Sequence, residues 1–319
     1  MAELKNTFSW SFSAADDFDE CRRKRFWSKY AMWGGWQSDA SPLQRTAYRL
    51  TKMENQFSLK GNAVEKAVIW TLRQKQKGVD VTVDQAYDTV AKPFMNNAWM
   101  ESKKRMWESN PKKHCCLIEH YRNKLDAESQ KALTGKIVAE TRKCIENFIA
   151  LVLPRLKDVQ QEQELPITTA GAGDPEHFMF EGIKVYAIPD YVFSKDDVTH
   201  IHDWKSGRPK ERHKDQLALY GLWATLKHDC SPDNVRLHVE YLLPGIVEEI
   251  PFKPADIESV SGEIKASVAD MAEYLVDANI SQNQPLPKEV WDLAAEPRTC
   301  GMCKFLELCQ PELGPSFKV

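Results

Sequence analysis

The hydrophobic period changes at Pro154, so the chain must combine a helical part with a sheet. Before it, apolar residues recur at helical spacing: Val64, Val68 and Leu72 at i, i+4, i+8, then Val138, Thr141, Ile145, Phe148 and Val152 on one stripe. The first run ends near Gly78, placed as a C′ glycine, and Pro154 is expected to stop the last helix. After Pro154 the pattern alternates. Residues 183–192 read as a strand, 194–197 as a turn and 198–205 as the returning strand. A helix over 215–226 follows, then strands over 235–243 and 246–250 joined at Pro244-Gly245. A long helix carries Ile257, Val260, Ile264, Val268, Met271 and Leu275. The expected fold class is an α/β core with a large helical region inserted after its first helix. The expected units are an N-terminal helical segment (1–60), a first core helix (61–81), a helical insertion (82–153), the core (154–280) and a C-terminal cysteine segment (281–319).

With 42% hydrophobic and 28% charged residues, the chain can bury a real core, which excludes collagen-like, coiled-coil and disordered classes. Lys and Arg number 43 against 46 Asp and Glu, a net charge of −3. No global basic excess marks a nucleic-acid binder, so any polyanion site is a local patch. The longest apolar run, 148–153, is too short to span a bilayer, and the N-terminus lacks the pattern of a secretory signal. The expectation is a cytoplasmic protein without a membrane partner.

Alternation along 198–205 puts Thr199, Ile201, Asp203 and Lys205 on one face and His200, His202 and Trp204 on the other. If 183–193 forms a hairpin with this strand, Asp190 comes near Asp203. Two adjacent carboxylates repel and suit a hard cation such as Mg²⁺ or Mn²⁺. A neighbouring lysine can orient or deprotonate water there. A D-x-K triplet alone occurs about once by chance in such a chain. Its context raises it: a strand on each side, an aspartate in the preceding strand, and a helix that puts Gln216 and Tyr220 on one face at i, i+4.

Eight cysteines are present, and Cys300, Cys303 and Cys309 form C-x2-C-x5-C. Three thiols in one proline-flanked stretch point to a metal site needing a fourth ligand. Cys21, Cys115, Cys116, Cys144 and Cys230 are the candidates, and by spacing alone zinc and iron–sulfur both stand. Basic residues gather at 22–25, at Lys103, Lys104 and Arg105, and at Arg208, Lys210, Arg212 and Lys214. The last set adjoins the carboxylates and is the one expected to bind DNA phosphates.

The order Pro189-Asp190, Asp203-Trp204-Lys205, then Gln216 to Tyr220 resembles the PD-(D/E)XK nuclease superfamily, and the Q-x-x-x-Y helix its RecB-like branch. The resemblance implies a restriction-endonuclease-like central mixed sheet flanked by helices. It implies Mg²⁺ or Mn²⁺ held by Asp190, Asp203, the Trp204 carbonyl and Glu65, which stands where the branch has a histidine. Lys205, Gln216 and Tyr220 complete the catalytic set, and the product carries a 5′-phosphate. The segment around Cys21 with the late cysteines is similar to iron–sulfur members of the branch, the CRISPR-associated RecB-like and AddB-type exonucleases. It implies a 4Fe-4S cluster on Cys21, Cys300, Cys303 and Cys309, with zinc as the alternative. The implied activity is a DNA exonuclease on single strands or free ends, with helicase, recombination or CRISPR-adaptation partners. The rival is a non-catalytic DNA-binding or assembly subunit that keeps the fold and cluster.

Overall fold

The computed structural model describes residues 5–169 and 173–313. Helices α1 (Phe12–Glu20), α2 (Arg22–Phe26) and α3 (Pro42–Lys52) precede the long α4 (Gln56–Gln76). The helical region continues with α5 (Val83–Ala86), α6 (Lys92–Lys103), α7 (Ile118–Arg122), α8 (Ala127–Asn147) and α9 (Leu153–Leu156). Then come α10 (Arg212–His228), α11 (Pro254–Ala272), α12 (Pro297–Met302) and α13 (Leu306–Cys309). The strands are β1 (Trp10–Ser11), β2 (His177–Phe180), β3 (Ile183–Tyr186), β4 (Tyr191–Lys195), β5 (Val198–Lys205), β6 (Val235–Tyr241) and β7 (Ile246–Pro251). They form a small sheet ordered β1-β3-β2 and a main mixed sheet ordered β4-β5-β6-β7, a restriction-endonuclease-like arrangement.

Turn chemistry sets the hairpins. Glu181-Gly182 joins β2 to β3 and Asp196-Asp197 joins β4 to β5, all four residues at positive φ. Two-residue turns of that hand match the twist of the flanking strands. Strands β5 and β6 run parallel, and α10 supplies the crossover such a pair needs. Both faces of the main sheet are covered. Ile201, Leu237 and Val239 pack with Leu217, Tyr220 and Ile264 on one side. Tyr191, Phe193 and Trp204 pack with Val64, Val68 and Phe148 on the other. The alternation along β5 therefore points Ile201 toward α10 and Trp204 toward α4.

Three expectations about elements need correction. Helix α4 begins at Gln56 rather than 61, because the Asn55 side chain caps the Ser58 N–H, and Gly61 lies inside it. Its end is as expected: Gly78 has φ +76° and its N–H reaches the Lys75 carbonyl. Pro154 does not stop its helix. Residues 148–152 wind as a wider π turn, after which Leu153–Leu156 continues with Pro154 in its first turn, where no N–H is needed. The strand expected over 183–192 is broken into β3 and β4, which belong to different sheets. Pro189 lies in the break and has no N–H to give a ladder.

Helix α10 lies close against Phe252. A Cβ on Gly221 would meet the Phe252 ring at 2.5 Å. Gly221→Ala is expected to destabilise the protein by about 1–3 kcal/mol through overpacking. The check is a thermal melt, which should shift down while Gly78→Asn, at an open left-handed position, melts near wild type.

Candidate active site and cysteine centre

Strand β5 presents Asp203 and Lys205 at its C-terminal end. The Lys205 Nζ lies 2.6 Å from Asp203 Oδ2. It also donates to Gln216 Oε1 at 2.7 Å, and Gln216 Nε2 donates to the Tyr220 hydroxyl at 2.9 Å. That hydroxyl donates to the Ile188 carbonyl at 3.1 Å. Helical spacing on α10 puts Gln216 above Tyr220, so one turn of helix bridges β5 and the segment entering β4. Asp203 and Tyr220 are each 3% exposed.

Asp190 stands one residue before β4. Its N–H bonds the His202 carbonyl at 3.2 Å, and its Oδ2 accepts the Trp204 N–H at 2.7 Å. In an extended strand the N–H and C=O of one residue share an edge, so the Trp204 carbonyl faces the same way. The β4–β5 register, continued, puts Pro189 opposite Trp204, and a proline has no N–H to offer that carbonyl. Burial drives the Asp190 carboxyl well above the usual range; Asp203 and Glu65 add to this, while the Trp204 N–H and Lys205 oppose it. Glu65 is exposed on α4 yet crowded at the cleft wall. Desolvation raises its pKa, Lys66 opposes, and Asp203 adds. Glu65, Asp190 and Asp203 do not gather as a trio within 4.8 Å. A cleft of about 1150 Å³ leads to this point, lined by Glu65, Lys66, Trp70, Arg73 and Asp190 among others.

The sequence model of the PD-(D/E)XK nuclease superfamily matches residues 98–310, more than half of the chain. The chain belongs to this superfamily. No curated protein matches it significantly. The nuclease superfamily acts on DNA by phosphodiester hydrolysis with divalent metals, and the aspartates and lysine of the D-x-K strand lie inside the matched span. Glu65 and Cys21 lie before it. The carboxylates fit a cation: two acidic side chains meet at one strand end, and buried Asp203 Oδ2 has only the Lys205 ammonium beside it.

Of the basic set beside these carboxylates, Arg208 and Lys210 are exposed. Arg212 instead turns to Asp16 at 2.6 Å and to Glu263 at 3.7 Å, and Lys214 lies 3.4 Å from Glu248. A half-buried brace has no counterpart in the sequence pattern. Glu164 accepts from Arg73, from Gln76 at 2.6 Å and from the Tyr191 hydroxyl at 2.8 Å. Only the spacing of Arg73 and Gln76 on α4 hinted at it; Glu164 sits in an unpatterned polar stretch. On the sheet face away from Asp203 and Lys205, the face that also carries Tyr191, His202 bonds Glu240 at 2.7 Å and stacks on His238 with ring centroids 4.2 Å apart. Burial pushes His202 down to about 3 and His238 to about 2, so both rings are neutral. The donor atoms of His202, His238 and Glu240 lie within 4.8 Å of one another, and all three residues are buried.

The four cysteines line one small cavity with Lys24 and Trp27. Cys21 caps α2, its sulfur accepting the Lys24 N–H at 3.4 Å, and the Trp27 indole N–H donates to Cys309 Sγ at 3.1 Å. Burial pushes the Cys309 thiol up to about 11, with Trp27 opposing. Cys144 packs among apolar residues, Cys115 bonds Glu54 at 3.2 Å, and Cys116 is buried in the same apolar cluster as Trp27 and Cys309 without lining the cavity. Cys230 lies 3.4 Å from the Thr199 hydroxyl.

The raised carboxyls set a pH dependence. Without a cation the folded protein holds protons on Asp190 and Glu65 more tightly than the unfolded chain does. Stability from that proton is full below the unfolded carboxyl pKa and is lost as pH rises from there through the folded pKa. A cation replaces the proton. Mg²⁺ should therefore raise the melting temperature at about pH 8 and do so far less at about pH 5, where protons compete. Equal stabilisation at both pH values would remove Asp190 from the cation site.

Proposed function

We propose that this protein is a RecB-like, metal-dependent DNA nuclease, an exonuclease on single strands or free ends, stapled by a 4Fe-4S cluster. The observation that carries the catalytic reading is the unbroken contact chain Asp203–Lys205–Gln216–Tyr220–Ile188 beside Asp190. Asp190, Asp203, Glu65 and the Trp204 carbonyl are the residues that would hold Mg²⁺ or Mn²⁺. Mg²⁺ uses one or two carboxylates and keeps several waters, so the aspartates suffice and Glu65 assists from the cleft wall. When bound, the cation supplies Lewis acidity at the phosphoryl group.

Lys205 orients the attacking water and faces the charge that builds on the phosphoryl oxygens. Its ammonium is gripped between Asp203 and Gln216, and Gln216 is fixed by Tyr220, so little reorganisation is needed at the reaction. Water attacks phosphorus, the bond to the 3′ oxygen breaks, and a 5′-phosphate and a 3′-hydroxyl result. Lys205→Ala removes one charge and keeps both aspartates. On end-labelled DNA with Mn²⁺ its cleavage rate should fall by about 10²–10³-fold, with DNA affinity little changed. If wild-type protein cuts no DNA that the variant leaves whole, the chain is a binding or assembly subunit instead.

The cluster reading is supported by four cysteines lining one cavity and by the resemblance of their spacing to iron–sulfur members of the branch. Closing residue 21 onto residue 300 removes on the order of 5 kcal/mol of unfolded-state entropy in the chain model, so the role is structural. A reducing compartment, the cytoplasm, suits eight free thiols. The unit boundaries set out above, with helicase, recombination or CRISPR-adaptation partners, complete this reading. Cys21→Ser should lose iron and solubility while Cys144→Ser keeps both, measured by elemental analysis after anaerobic purification. Zinc in place of iron would return the zinc reading; full iron in Cys21→Ser would exclude Cys21.

A further inference from the structure

The N-terminal helical region carries a second groove that the chemistry above does not use. The loop Trp33-Gly34-Gly35-Trp36 folds back on α3. Gly35 permits this: a Cβ there would lie 2.3 Å from the Gln44 carbonyl oxygen and 2.5 Å from Tyr48 Cβ. Gly34 turns the chain at φ +79°, and Gln44 Nε2 donates to the Trp33 carbonyl at 3.1 Å. Two indoles are thereby fixed. Trp33 stands edge-on to Trp36 at 5.1 Å, and Trp36 edge-on to Tyr48 at 5.6 Å. Trp36 remains 40% exposed.

Positive charge surrounds this loop. Arg45, Arg49 and Lys52 fall at i, i+4, i+7 on α3 and line the groove, and Lys112 joins them from a separate loop. Arg45 bonds the Ser38 and Ala40 carbonyls, neutral acceptors that leave its charge uncompensated. Arg49 lies over the Trp107 ring at 5.4 Å and Lys52 over the Tyr48 ring at 5.3 Å. Burial, with Lys112 adding like charge, holds the Lys52 ammonium below its usual pKa. The one carboxylate on the groove among the described residues, Glu108, is taken by Arg105. Toward the catalytic cleft the groove is followed by a cavity that Glu54 and Glu101 also line. Lys52 and Lys112 line that cavity with Phe94; Lys66 lies 5.2 Å from the Phe94 ring and lines the catalytic cleft beside Glu65.

We infer that this groove grips single-stranded DNA, stacking bases on Trp36 and Trp33 and holding phosphates with Arg45, Arg49, Lys52 and Lys112, on the strand that continues from the catalytic cleft. It rests on the nuclease reading for the identity of the polyanion. Fixed aromatic faces interleaved with cations are what an unpaired strand uses; an acidic peptide needs only the cations.

The test titrates full-length protein, in EDTA to prevent cleavage, against a fluorescein-labelled oligothymidylate long enough to span both sites. Trp36→Ala should weaken binding about tenfold, the size of one lost stacking contact. Lys112→Gln, on a different loop, should lower the slope of log affinity against log salt by about 0.7, one phosphate contact. It keeps the inference testable if the tryptophan variant fails to fold. Wild-type affinity and wild-type salt slope in both variants overturn the inference. So does a wild-type protein that prefers polyglutamate to the oligonucleotide. Both effects in a protein that cuts no DNA uphold the grip and remove only the nuclease reading.

Discussion

The site depends on a ladder that cannot close. Strand β4 pairs with β5 from Tyr191 onward, and the residue that would extend the pairing is Pro189. A proline there has no N–H, so the Trp204 carbonyl is left without its ladder donor. The Asp190 carboxylate takes the Trp204 N–H, and that bond fixes Asp190 beside Asp203. The same interruption lets the chain change sheets between Tyr186 and Tyr191. It also frees the Ile188 carbonyl to receive Tyr220. The break at Pro189 thus opens the sheet, the Asp190–Trp204 bond brings two carboxylates together, and the Tyr220–Ile188 bond anchors the helix that fixes Lys205.

Gathering those carboxylates costs stability unless a cation answers them, because burial raises the Asp190 pKa and the neighbouring Asp203 charge adds to it. The surrounding structure is correspondingly stiff. Trp204 stacks on Tyr191 at 5.9 Å, Tyr191 is tied to Glu164, and Glu164 to Arg73 and Gln76 on α4. The chain's two ends are tied as well. Arg23 donates to the Trp291 carbonyl at 2.8 Å and to Glu312 at 2.6 Å, beside the four cysteines. Those bonds bring the first helices against the last ones, and Trp10, Phe12 and Phe18 join the same core as β5 and α10.

Elements with a local signal were readable in advance. Strand β5 ends at Lys205 as the sequence predicts, and Asp203 and Lys205 share a face because the period of a strand is two. Gln216 and Tyr220 meet because four residues make a helical turn. What local pattern misses is what distant partners decide. His177-Phe-Met-Phe180 carries no alternation strong enough to announce β2, which exists because β3 offers an edge and Glu181-Gly182 makes the turn. Residues 183–192 are apolar enough to read as one strand, and only the competition between two sheets breaks them at Pro189. Pro154 reads as a stop, yet a π turn before it re-phases the helix so that no donor is missed.

Charge taught the opposite lesson from hydrophobicity. Arg208 to Lys214 is the densest basic stretch near the aspartates in sequence, but two of its four cations are answered by Asp16, Glu263 and Glu248. Arg45, Arg49, Lys52 and Lys112 make no conspicuous run. They come together because three stand on successive turns of α3 and the fourth arrives from another loop, and neutral carbonyls and rings are what they meet. A polyanion responds to uncompensated charge rather than to basic residues counted along a chain. In a protein whose net charge is −3, the surfaces that can attract DNA are therefore those where folding has left cations without carboxylates, and the tryptophan loop stands on one of them.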